Sequence, residues 1–222
     1  MNQFRILIGP LAILMGSWIG GLPVYAGSMG GGMMRSPEGM QDMKGMMQRM
    51  MGDLLPPGID PVLLPEPQSQ GASLLARYCN QCHQLPGPGM HTASEWPAVV
   101  ERMNRRMQMM GGRGMMGMMM VRVEALAPSE LQVLVRYLQT HAQRPIDRAQ
   151  YSDLNTPAGQ AFEASCSRCH VLPDPQQHTS DEWPGVVARM KKNMAAMGKT
   201  VPDEATLGEV ITFLQNHAQR GE

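Results

Sequence analysis

Apolar positions in this chain change their spacing several times, and each change marks an element. From Ile6 to about Ile19 they run almost unbroken behind Arg5, and Val24-Tyr25-Ala26 closes the stretch with a small-x-small site. That layout predicts a secretory signal over residues 1–26. No cysteine follows the site, so no lipid anchor is expected. Pro10 and several glycines interrupt the run and argue against an uncleaved membrane span. In residues 27–70 the apolar positions are mostly methionine. Met40, Met43, Met46, Met47, Met50 and Met51 recur at helical spacing, between Gly30-Gly31-Gly32 and a proline-rich stretch from Pro56 to Pro67. This predicts a flexible Met/Gly-rich leader, one short methionine-faced helix and a linker. Further on, Leu131, Leu134, Val135 and Leu138 share one helical face, and Leu207, Val210, Ile211 and Leu214 repeat it. No alternating strand pattern competes, so the expected fold class is all-α.

The second half of the chain copies the first. CNQCHQLPGPGMHTASEWPAVVERMNRRM aligns with CSRCHVLPDPQQHTSDEWPGVVARMKKNM at an offset of 87 residues, pairing Cys79 with Cys166, His91 with His178, Trp96 with Trp183 and Met103 with Met190. The match resumes as LQTHAQR and LQNHAQR at an offset of 76, which places an eleven-residue insertion around Gly111 to Met120. A repeat of this kind predicts two similar units in tandem, over residues 71–146 and 150–222. Each unit reads as three helices. In the second, Thr156 is an N-cap with Pro157 at the first helical position. Phe162 lies one turn before Cys166, where the first unit has Leu75. For the middle helix, the T-x-x-E at Thr92 and Thr179 offers a capping box. Proline tips the choice to Ser94 and Asp181 as caps, because Pro97 then needs no backbone donor.

About 75 residues per unit, with aromatics at 5 %, is little material for an independent core. The cysteines bear on this. There are four, and all lie in Cys79-Asn80-Gln81-Cys82-His83 and Cys166-Ser167-Arg168-Cys169-His170. C-x-x-C-H is the attachment pattern of c-type haem. Two thiols add to the two vinyl groups of one porphyrin, and the adjoining imidazole faces the iron. A covalently held haem in each unit would supply the missing core, and attachment outside the cytoplasm agrees with the export signal. A zinc site built from Cys79, Cys82, Cys166 and Cys169 would leave both histidines unexplained. A thioredoxin-like pair would lack its strands.

His83 and His170 are therefore the expected proximal iron ligands. For the opposite face the candidates are Met103 and Met190, at equivalent places on the middle helices. Met107 and Met194 are alternatives on the same stripes, and packing alone would account for such stripes. His91 and His178 compete, although only eight residues separate each from its proximal histidine, a reach of roughly 26 Å. Their other role is a hydrogen bond to a propionate or a loop carbonyl. His141 and His217, at the ends of the third helices, suit the helix dipole. Trp96 and Trp183 are expected to pack on the porphyrin, and Arg102 and Arg189 either pair with propionates or face solvent.

Charge and methionine content add two points. Formal net charge is zero, which gives no reason to expect a nucleic-acid partner. Residues 71–149 carry nine arginines against five acidic residues, and residues 150–222 carry six basic against nine acidic ones. Such a dipole could orient charged partners. Nine of the 24 methionines fall in residues 27–52 and nine in 103–120. Soft thioethers suit Cu(I), and a pliable partner surface is the plainer reading.

On these motifs and on E-W-P-x-V-V-x-R-M, residues 71–220 resemble the class I-like c-type cytochromes in tandem dihaem form. The stretch is similar to one in cytochrome subunits that take electrons from periplasmic dehydrogenases such as sulfite dehydrogenases. The resemblance implies two cytochrome c-like three-helix haem domains with His/Met iron. It implies a periplasmic electron carrier rather than an enzyme, with redox proteins as donor and acceptor and no stable membrane insertion after signal cleavage. The short Met-Pro ligand loop usual before the last helix is absent, which leaves the histidine candidates open. A dihaem peroxidase and a Cu(I)-binding protein are the alternative functions.

Overall fold

The computed structural model describes residues 57–111 and 123–220. The signal over 1–26, the leader helix over 40–51 and most of the inserted stretch lie outside the described residues. Those that are described are helical, with six α-helices and no strand. None of these helices is long and apolar enough to cross a membrane. In the first half stand α1 (Gln70–Tyr78), α2 (Trp96–Gly111) and α3 (Pro128–Thr140). Their counterparts are α4 (Pro157–Cys166), α5 (Trp183–Ala196) and α6 (Glu204–Asn216).

Helix starts follow local chemistry. Ser69 and Thr156 cap α1 and α4 by accepting from the amides of Ala72 and Gly159, with Pro157 leading α4 as expected. Asp203 caps α6 through the Thr206 amide. The middle helices depart from expectation. Neither Ser94 nor Asp181 is the cap, and regular helix begins at Trp96 and Trp183. The T-x-x-E box forms instead as a preceding turn: the Glu95 carboxylate accepts from the Thr92 amide at 2.8 Å and the Thr92 hydroxyl at 2.9 Å. Glu182 does the same with Thr179. Pro97 has no N–H to offer the carbonyl four residues back, that of Ala93. Gln139 on α3 serves it, donating from Nε2 at 3.0 Å. In the second half Gln215 serves Ser180 in the same way, at 3.1 Å. A helix-breaking residue is thus turned into a tie between the middle and last helices.

Packing runs chiefly between first and last helix of each half, α1 on α3 and α4 on α6. Gly71 permits the first crossing, since a Cβ there would lie 2.3 Å from the Cβ of Tyr137. At the second, the Phe162 and Phe213 rings stack at 4.9 Å. Two separate apolar clusters result. One gathers around Leu75, Trp96, Leu134 and Leu138, the other around Phe162, Trp183, Val210 and Phe213.

Each half also opens with a strap that the sequence reading leaves among the linkers. The Ile59 amide donates to the Leu85 carbonyl at 3.0 Å, and Ile146 donates to Leu172 at 2.9 Å. Asp60 and Asp147 then cap short 3-10 turns, Pro61–Leu63 and Arg148–Gln150. Leu64 and Tyr151 follow, both 4 % exposed, as plugs in the two clusters. The exit of the first half is the entrance of the second. Gln143 closes one by donating its amide to His91 O, and Arg144 to Ile146 open the other by pairing with Leu172 to Asp174.

Two candidate haem-attachment sites

Both pentapeptides begin where the first helix of their half ends. Cys79 is the C-cap of α1, its amide donating to Leu75 O at 3.0 Å, and Cys166 is the last residue of α4. Helical geometry carries each first cysteine to its apolar cluster, and the turn that follows carries the second cysteine and the histidine around it. Cys79 and Cys82 pack against the first cluster and Cys166 against the second. Burial pushes the Cys79 and Cys166 thiols up to about 12. A thiol so placed stays protonated at neutral pH and is inert as a free nucleophile. The division of cysteines between two clusters argues against a shared zinc site. Among the described residues no group of three or more His, Cys, Asp or Glu side chains converges as a metal site.

The histidines are held in one tautomer. His83 Nδ1 lies 2.7 Å from Gln84 O, and His170 Nδ1 lies 2.9 Å from Val171 O. A carbonyl can only accept, so Nδ1 carries a proton, and the neutral ring so held presents its lone pair at Nε2. This is the form a metal-ligating imidazole needs, with its other nitrogen fixed by a carbonyl. Beside His170 opens a cleft of about 600 Å³, lined by Cys169, His170, Arg168, Leu172 and the strap residues Ile146 and Arg148. That volume is in the range of cofactor sites. Three apolar-packed thiols, imidazoles fixed through Nδ1 and, at the second motif, an open cleft beside the exposed Cys169 fit a covalently held haem.

The motif turn is anchored to the segment before each last helix. Gln81 donates from Nε2 to Glu124 O and accepts from the Glu124 amide, both at 2.8 Å. At the aligned place Arg168 donates to Thr200 O at 2.8 Å. Both residues stand at the same motif position, where the C-x-x-C-H pattern accepts any side chain and so carries no sign of this role.

The candidates for the second axial position divide. Met103, Met190 and Met194 are half-buried. Met107 is buried in the first cluster, with Sδ 3.6 Å from Gln81 Nε2, inside the motif. His91 and His178 hold loops. Each ring meets a tryptophan edge-on, Trp96 at 4.9 Å and Trp183 at 4.8 Å. Each backbone carbonyl accepts from the tail after the last helix, through the Gln143 and Gln219 amides. Burial pushes the His178 pKa down, with Glu182 opposing. Trp96 and Trp183 are themselves tied, their Nε1 donating to Pro88 O at 2.8 Å and Pro175 O at 2.9 Å. His141 and His217 are C-caps, and His217 Nε2 lies 2.9 Å from Asp153. Arg102 and Arg189 are exposed on their helices.

The turn that feeds α2 makes the fold acid-sensitive. The Thr92 amide, and then its hydroxyl, hold the Glu95 carboxyl below its ordinary 4.5. A depressed folded-state pKa contributes stability above the unfolded value, and that contribution is lost as pH falls through the folded value. Glu95→Gln should therefore lower the melting temperature at neutral pH. It should also flatten its decline below pH 4.5, so that the two curves converge in acid. Thermal melts across that range check it, and parallel curves would refute it.

No protein-family model, curated protein or solved structure matches this chain.

Proposed function

We propose that the chain is a periplasmic dihaem c-type cytochrome, relaying single electrons between a redox-enzyme donor and a downstream acceptor. Its two units are read as cytochrome c-like haem domains. One observation carries the reading. Two C-x-x-C-H pentapeptides stand at equivalent helix ends, each with its histidine Nδ1 spent on the following carbonyl. Cys79, Cys82 and His83 would hold one haem, and Cys166, Cys169 and His170 the other. A haem held at both axial positions supplies a one-electron iron couple and no open coordination site for substrate. The residues around it fix the imidazoles, bury the first thiol of each pair and keep the helices in place. Met103 and Met190, whose place on the middle helix is the same in both units, would supply the second iron ligands.

The test is the absorption spectrum of the protein purified from a periplasm that attaches c-type haem. Expected are two haems per chain that stay with the polypeptide in acidified organic solvent, and no peroxide turnover. The ferric form should show the weak red charge-transfer band of methionine-bound iron, diminished in Met103→Ala and Met190→Ala. Colourless protein, or extractable pigment, overturns the proposal. Rapid peroxide turnover replaces the carrier with a dihaem peroxidase. Loss of the band in Met107→Ala moves the ligand to the buried thioether.

A further inference from the structure

The two sites share one frame, and two of the differences between them act in one direction. The first is Gln143, 5 % exposed although polar. Its side-chain Nε2 donates to Val171 O, the same carbonyl that holds Nδ1 of His170. Residue 143 belongs to the exit of the first half, so the first half reaches across to the proximal histidine of the second. At the first site Gln84 O receives His83 Nδ1 at 2.7 Å. The residue aligned with Gln143 there is Pro56, which has no side-chain donor. A carbonyl shared between two donors is a poorer acceptor for each. With a metal bound, His170 would be held less strongly than His83, would donate less electron density, and would disfavour the ferric state.

The second difference is charge at the motif. Arg168 aligns with the neutral Gln81, and its guanidinium bonds to the Thr200 carbonyl rather than to a carboxylate. Three cations near the motifs are matched. Arg148 pairs with Glu163, Arg144 with Asp174 at 3.3 Å, and Arg77 with Glu124 at 2.8 Å. An uncompensated positive charge favours the reduced, less positive iron.

We propose that Gln143, as a positioning residue acting through Val171, and Arg168 together give the second site the higher reduction potential, so that an electron received from the donor comes to rest in the second half. The inference rests on the reading of both motifs as haem sites. The step moves one electron. Iron at the first site passes from ferrous to ferric while iron at the second passes from ferric to ferrous, and no bond or proton changes place. The summed charges oppose this order, with net +4 on residues 71–149 and −3 on 150–222. They are spread over the surface and screened within about 8 Å at physiological salt.

Spectroelectrochemical titration of the full dihaem protein tests the assignment. The wild type should show two resolved one-electron waves. Gln143→Met keeps the length and the backbone bond to His91 but removes the donor. Arg168→Gln restores what the first site has. Each should lower the upper wave alone, reducing the inter-haem electron equilibrium constant roughly two- to tenfold. The Gln143→Met shift should persist at 1 M salt, whereas the Arg168→Gln shift should shrink. Arg168→Gln is a surface change and keeps the test decisive if Gln143→Met fails to fold. Coincident waves in the wild type, or variants that move the lower wave or neither, overturn this inference while leaving the haem assignment standing. Protein without two covalent haems overturns that assignment, and the inference with it.

Discussion

Replacing Cys79 and Cys82 together by alanine should leave a protein with half its covalent pigment and a mass lower by one haem. The second site should be spectroscopically unchanged. The two attachment sites share no residue: Cys79 and Cys82 pack in the first cluster, and Cys166 packs in the second. Each motif's loop is anchored within its own half, by Gln81 on Glu124 and by Arg168 on Thr200, while the Gln143 bond to Val171 reaches the second motif from the first half. The doubly substituted first half would lose both the thioethers and the large apolar group they hold. A unit of this size has little other core to fall back on. Its helices should therefore loosen, seen as a loss of helical circular dichroism of up to half the total. The reciprocal variant, Cys166→Ala with Cys169→Ala, should do the same to the other half. Mass spectrometry and the reduced haemochrome spectrum read the outcome. If either pair can be removed without loss of haem, the thiols are not the attachment points.

What could be read from the chain follows from how far apart the interacting residues lie. The Thr156–Pro157 start of α4 is legible because a cap and its amide are three residues apart, and the structure has it. The leucines of α3 and α6 are legible because helical period alone sorts them, and Leu134, Leu138 and Leu214 are indeed buried. The start of the middle helix is not. Its proline is tolerated through Gln139, 46 residues from the carbonyl it satisfies. Local rules treat Pro97 as a boundary and move the cap to Ser94. The straps fail for the same reason. Gly58 and Ile59 gain partners at Gln84 and Leu85, 26 residues on, and nothing within the proline-rich stretch announces them. A signal was present in Ile59-Asp60 and Ile146-Asp147, which keep the offset of 87, but two residues in a biased segment are short of a visible repeat. At the candidate sites the cysteines and proximal histidines stand in the motif itself. Gln81 stands there too, but at a position the motif leaves free, and Gln143 and Met107 lie outside it; the roles of all three are set by what the fold brings alongside.

Phe162→Ala should be the most destabilising single change to the second half, costing about 3–5 kcal/mol. The ring is fully buried and lies nearly parallel to that of Phe213, at 4.9 Å and 19°. Truncation removes this stacked contact between α4 and α6 and leaves a cavity in a fully buried place. The stacked pair forfeits a further 0.5–1.5 kcal/mol beyond its buried area. How the loss is distributed is the more informative part. The clusters of the two halves are separate, and what joins them is polar: Gln143 to Val171, Gln177 to Ala142 at 3.2 Å, and Arg144 to Asp174. Such contacts contribute about 0.5–1.5 kcal/mol each, too little to make two cores melt as one. Urea titration of the dihaem protein should then resolve two transitions, with Phe162→Ala lowering one midpoint and Leu75→Ala, at the aligned position, lowering the other. A single transition shifted by both variants would mean that the strap from Ala142 to Ile146 couples the halves far more strongly than its hydrogen bonds allow.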